Sequence, residues 1–152
     1  MRKPTIAVLL AVAAAGAYAA PLAVLQIRLT PTDIDAIQAH DSGAGTSGVA
    51  GIRTTVIAGD PTKDGPYTIR LNVPANTKIQ AHTHRDNRTA IVISGTWYFG
   101  YGQLATPTDE KALPAGSFYT EPGGVAHFAE TRADPVVVYI SGSGPTDTVY
   151  VK

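Results

Sequence analysis

The chain has 152 residues, with 12 lysines and arginines against 12 aspartates and glutamates, so its length suits one domain able to bury its own core. That balance leaves no net field to hold a nucleic acid or an anionic membrane surface. With no cysteine, disulfides, thiolate ligands and a cysteine nucleophile are excluded, and any metal must be held by imidazole and oxygen.

The chain opens with a basic start, Met1-Arg2-Lys3, an apolar run from Ile6 to Gly16, and the small-residue end Ala17-Tyr18-Ala19. This three-part layout is that of a bacterial secretory signal peptide over 1–19. The run is shorter than the roughly 20 residues a spanning helix needs, which argues against a stable membrane anchor. Pro21 disfavours cleavage directly before it, so the mature chain is expected to begin near Ala20 and to reside in the periplasm or outside the cell.

Residues 20–50 form an N-terminal arm. From Thr30 to Ile37 a threonine cap, a proline at the first helical position and acids in the first turn predict one short helix. The segment Asp41 to Gly48 is small, polar and glycine-rich and reads as a flexible connection; His40, beside it, is expected to be exposed.

From residue 51 to 152 strands dominate, and the 15 glycines and 11 prolines supply the turns. Strands are predicted at Ile52 to Ala58, at Tyr67 to Val73, where apolar and polar residues alternate throughout, at Lys78 to His84, at Thr89 to Ile93, and at Thr96 to Tyr101. Gly116 to Glu121, Ala126 to Glu130, Val136 to Ile140 and Thr148 to Val151 complete the set. Even spacing of short strands points to an all-β sandwich or barrel.

Two of the four histidines, His82 and His84, lie two apart on a predicted strand and so share one face. Alone such a pair arises easily by chance and reads as well as two exposed strand residues. The third, His127, follows Gly116 and the turn Pro122-Gly123-Gly124, which return the chain and deliver one more imidazole. In this stretch the chain resembles the cupin superfamily. Gly116, Pro122, Gly124 and His127 keep the spacing of the family's second motif, with Thr131 in place of its asparagine. His82, His84 and Gly95 fall in register with the first motif, and Asn76 stands at its usual glycine.

The resemblance implies a cupin jelly-roll β-barrel with a metal site at His82, His84 and His127, resembling small exported single-domain cupins. It does not imply a reaction. Arg88 stands where the motif has a glutamate ligand, and a guanidinium does not coordinate a metal. Asp86 or Glu121 could offset the resulting concentration of positive charge from the protein side, and a substrate carboxylate could do so from solvent. Arg88 is therefore a candidate to hold an anionic substrate; the alternative is that it tilts outward and pairs with Asp86 at the rim. Gln80, two residues before His82, is a candidate fourth ligand, or else a rim hydrogen-bonder. Tyr119 is a candidate acid near the metal, or else core. Trp97, Phe99 and Tyr101 read as core and interface.

Three imidazoles suit a divalent iron, zinc, nickel, copper or manganese ion. Iron would direct the expectation to a dioxygenase-like enzyme acting on a small anionic molecule, and zinc or nickel to a lyase or isomerase. A non-catalytic cupin that binds a ligand or stabilises a partner is the alternative class. Ile91 and Ile93 are expected on the outer face, which suggests a homodimer.

Overall fold

The computed structural model describes residues 26–152; the signal peptide expected over 1–19 lies outside the described residues. Among those described, no helix is long and apolar enough to cross a membrane. The single α-helix among the described residues, α1, spans Pro31–Asp35 and is capped reciprocally by Thr30 and Asp33. It ends short of Ile37, with only Ile34 buried, because a helix this short is held by its cap rather than by packing.

Ten strands follow: β1 Arg53–Ala58, β2 Gly65–Val73, β3 Lys78–Thr83, β4 Arg88–Ser94, β5 Thr96–Tyr101, β6 Glu110–Pro114, β7 Phe118–Glu121, β8 His127–Glu130, β9 Val136–Gly144 and β10 Val149–Tyr150. They form two five-stranded antiparallel sheets. One has the order β1-β2-β9-β4-β7 and the other β10-β3-β8-β5-β6. Consecutive strands repeatedly cross between sheets, so the core is what the two inner faces share.

Period two decides that core. Tyr67, Ile69, Leu71 and Val73 of β2 point inward, as do Arg88, Ala90 and Val92 of β4, Trp97 and Phe99 of β5, and Val136, Val138 and Ile140 of β9. Thr89, Ile91 and Ile93 face out, as the alternation requires, and Phe118 lies opposite the exposed Ile91. Strand β6 was not among the predicted strands. It sits at a sheet edge, pairs only with β5, and buries only Leu113, so it lacks the apolar alternation that marks a half-buried strand. It also ends in a proline, which edge positions tolerate.

Two departures from the motif spacing have structural explanations. Asn76 has φ 55°, the left-handed conformation that glycine adopts freely and asparagine tolerates best among side-chain-bearing residues. Thr131 is buried; its hydroxyl donates to the Pro74 carbonyl at 2.5 Å and accepts from the Thr77 amide at 2.9 Å. It therefore ties the β2–β3 turn to the end of β8.

A buried polar knot closes one end of the sandwich. Tyr67 Oη donates to Asp86 Oδ2 at 2.7 Å, and Thr146 Oγ1 donates to Asp86 Oδ1 at 2.6 Å. Asp86 thus spends both oxygens here and does not pair with Arg88. A Cβ on Gly142 would fall 2.5 Å from Asp86 Oδ2 and 2.6 Å from Tyr67 Oη. Gly142→Ala is expected to force this hydrogen bond apart and cost about 2 to 3 kcal/mol. Urea unfolding tests this, and a loss below about 1 kcal/mol would show that the knot can shift without penalty.

Candidate metal centre

The three motif histidines come from one sheet: His82 on β3, His84 just beyond its end, and His127 on β8, directly paired with His82. All are buried, and one ring nitrogen of each lies within 4.8 Å of the others. Each Nδ1 faces a backbone carbonyl: His82 that of Gln80 at 2.8 Å, His84 that of Asp147 at 2.5 Å, and His127 that of Val125 at 3.1 Å. A carbonyl can only accept, so Nδ1 carries the proton and Nε2 is left with its lone pair. Such outer contacts orient metal-binding imidazoles.

Burial drives all three imidazoles toward the neutral form. His82 is pushed down to about 4, by burial first and then by His127; His84 falls to about 3, by burial first and then by the Arg88 charge; His127 is also lowered, chiefly by burial. Neutral imidazole is the form that ligates. His127 Nε2 is buried and has no hydrogen-bond partner among the described residues. An orphaned acceptor of this kind, beside two more convergent imidazoles, fits a metal ion better than it fits a packed core.

The facing sheet supplies charge. Arg88 on β4 and Glu121 on β7 are direct cross-strand partners, so their side chains leave the sheet on the same face. Both are buried, at 5% and 4% exposure. Arg88 Nε donates to Glu121 Oε2 at 2.5 Å, while its Nη2 contacts both Glu121 Oε2 and His84 Nε2. Arg88 therefore points into the barrel and its partner is Glu121, which corrects the outward alternative with Asp86. Burial alone would raise the Glu121 carboxyl, but the Arg88 guanidinium outweighs it and holds it below the usual range.

The side chain of Gln80 is not at the site. The register of β3 against β8 slips between Ile79 and His82, because Ile79 pairs with Ala129 and His82 with His127. This bulge places Ile79 and His82 inward and Gln80 outward, exposed. Gln80 contributes its carbonyl to His82 instead of a ligand. Tyr119 does line the cavity, its ring tilted against that of Phe99 with centroids 4.3 Å apart, and Phe118 lies on the opposite face. Burial, and then the Glu121 charge, raises the Tyr119 hydroxyl well above its ordinary value, so it stays protonated.

The cavity is small, about 20 Å³, roughly the room one water needs. Part of its lining comes from Gly45, Thr46 and Ser47 of the arm, which the sequence reading takes as a free connection. These residues are buried. Thr148 Oγ1 donates to the Thr46 carbonyl at 3.0 Å and Tyr150 Oη to the Ser47 carbonyl at 2.7 Å. The arm also bridges β1 through paired backbone bonds between exposed His40 and Thr54, both 2.7 Å. Glycine-rich composition signalled the turns of this segment but not its anchorage, which comes from a strand a hundred residues away.

No protein-family model matches the chain, and no curated protein matches it. Solved structures do. The polyketide cyclase RemF from Streptomyces resistomycificus superposes with a TM-score of 0.64 at 14% identity, covering 84% of this chain and 87% of that one. A cupin 2 conserved barrel domain protein from Rhodopseudomonas palustris gives 0.58 at 12% identity, covering 81% and 82%. A sugar phosphate isomerase of the cupin superfamily from Silicibacter pomeroyi gives 0.56 at 14% identity, covering 74% of each chain. Identities this low speak to fold alone, and the fold they share with this chain is the cupin jelly roll.

Proposed function

We propose that the protein is a metal-dependent enzyme of the cupin type, holding one divalent transition metal through the Nε2 atoms of His82, His84 and His127 and acting on a small molecule. The observation that carries this reading is the three buried imidazoles, each with Nδ1 on a carbonyl and Nε2 turned to a common point. A metal there supplies a Lewis acid and open coordination positions. The surrounding residues do the rest: the carbonyls fix the ring orientations, and Trp97, Phe99, Tyr119 and Ile140 line a water-poor wall.

Solved structures of this fold include a polyketide cyclase and a sugar phosphate isomerase, which support catalysis as the use of such a site. Iron would favour the oxygenase reading, and zinc or nickel a lyase or isomerase. The anionic preference expected of the substrate loses its main support, because Arg88 is already neutralised by Glu121. An exported location and a homodimer stay part of the proposal on sequence grounds.

Elemental analysis of the mature protein, purified without affinity tag or chelator, tests it. The expected result is near-stoichiometric transition metal, with His82→Ala, His127→Ala lowering it at least tenfold. Equal and negligible metal in both proteins would leave a barrel that binds by shape, and the enzyme reading would fail.

A further inference from the structure

Resting on that reading, we infer that Glu121 is a fourth protein ligand of the metal, delivered from β7 instead of from the β4 position that Arg88 occupies. The two residues are cross-strand partners, so moving the carboxylate one strand sideways keeps it on the same inner face. Glu121 Oε2 lies 3.7 Å from His84 Nε2 and 3.8 Å from His127 Nε2. Donors bound to one ion at about 2.0 to 2.2 Å lie roughly 3 to 3.5 Å apart. A shift of a few tenths of an ångström therefore brings Glu121 to the spacing of a fellow ligand of His84 and His127.

Charge points the same way. Among the residues lining the cavity, Glu121 is the one carboxylate, beside three neutral imidazoles and a buried guanidinium. A dication held by imidazoles alone would face Arg88 with nothing between them. Glu121 lies within reach of both. A carboxylate has two oxygens and about four lone-pair sites, so it can accept from Arg88 Nε and still ligate. Arg88 Nη2 then has to leave His84 Nε2, the atom the metal needs. Arg88 in that state holds the carboxylate in place, as ligating carboxylates are commonly held.

The test is a titration of chelator-treated protein with cobalt(II) chloride, followed by its visible d–d absorption and by stoichiometry. Wild type, Glu121→Gln, the exchange variant Arg88→Glu, Glu121→Arg, and His82→Ala, His127→Ala are compared, with circular dichroism to check folding. Glu121→Gln keeps the shape and an acceptor for Arg88 but loses the charge. It is expected to weaken cobalt binding at least tenfold and to shift the d–d bands, while the exchange variant, with its carboxylate on β4, recovers affinity. A folded Glu121→Gln protein with wild-type affinity and unchanged bands overturns the inference while the three-histidine site stands. If Glu121→Gln does not fold, the charge-free pair Arg88→Met, Glu121→Leu decides: cobalt binding weakened at least tenfold with shifted bands supports the assignment, and wild-type affinity with unchanged bands overturns it. Wild type that binds no cobalt at the histidines removes the metal reading itself, and this assignment with it.

Discussion

Replacing Arg88 with methionine is expected to destabilise the chelator-treated protein by about 3 to 5 kcal/mol, a large part of the roughly 5 to 15 kcal/mol that a domain of this size commands. The reason is what the substitution leaves behind. Methionine fills the space, but the Glu121 carboxylate, 4% exposed, loses the donors at Arg88 Nε and Nη2. An ionised group without a partner in a low-dielectric interior must either bear the desolvation penalty or take up a proton. Removing both charges is a different matter. In Arg88→Met, Glu121→Leu no buried charge is stranded, and stability should return to within about 1 to 2 kcal/mol of wild type or exceed it. Urea midpoints of the two variants give the answer. A single substitution costing less than 1 kcal/mol would mean that the pair is wet, contrary to its burial.

The same chelator-treated protein should also lose stability on mild acidification. His82 and His84 titrate at about 4 and about 3 when folded, against 6.5 for the unconstrained side chain. Between those values the unfolded chain binds protons that the folded chain refuses. Stability is therefore complete above about pH 6.5 and is lost as the pH falls toward the folded values. From pH 7 to pH 5 each of the two histidines accounts for about 2 kcal/mol, as an upper figure for neighbours that influence each other. Glu121 acts in the same direction but at lower pH, since its depressed carboxyl contributes stability at every pH above the ordinary glutamate range and gives way only below it. The histidines thus govern the window between pH 7 and 5. The urea midpoint should fall steadily across it, and bound metal should flatten the fall, because protons and metal compete for the same Nε2 atoms. A midpoint constant from pH 7 to 5 without metal would show that the imidazoles protonate freely, as exposed ones do.

Much of the site was legible because strand parity and the turn before His127 depend only on local sequence. His82 and His84 two apart, the Pro122-Gly123-Gly124 turn, and the alternation that turns Arg88 inward with Ala90 and Val92 all follow from period two. The errors arise where a local rule met a distant partner. Gln80 shares parity with His82, yet the bulge against β8 reverses its face. Arg88 was weighed against Asp86 because the two are close in sequence, whereas strand pairing sets it beside Glu121, 33 residues on. Glu121 is legible as a charge offset, and its place two residues from inward-facing Tyr119 and directly before the motif proline is the clue to its inward face; its pairing with Arg88 needs the strand register. The edge strand β6 and the anchored arm were hidden for a related reason, since neither advertises a continuous apolar face.

One segment lining the cavity at the candidate metal centre belongs to neither sheet. Gly45, Thr46 and Ser47 share the cavity's lining with the imidazoles, and the hydroxyl groups of Thr148 and Tyr150 fasten the segment at the backbone carbonyls of Thr46 and Ser47. The convergent imidazoles and this part of the cavity's lining thus come from separate segments of the chain. Gly45 is not free to vary, because it has φ 81° and a Cβ there would meet Ile69 of β2 at 3.4 Å, whereas changes at Thr46 and Ser47 would alter the cavity's lining and leave the three imidazoles in place. Anyone seeking to reshape this cavity would begin at Thr46 and Ser47 and leave both sheets alone.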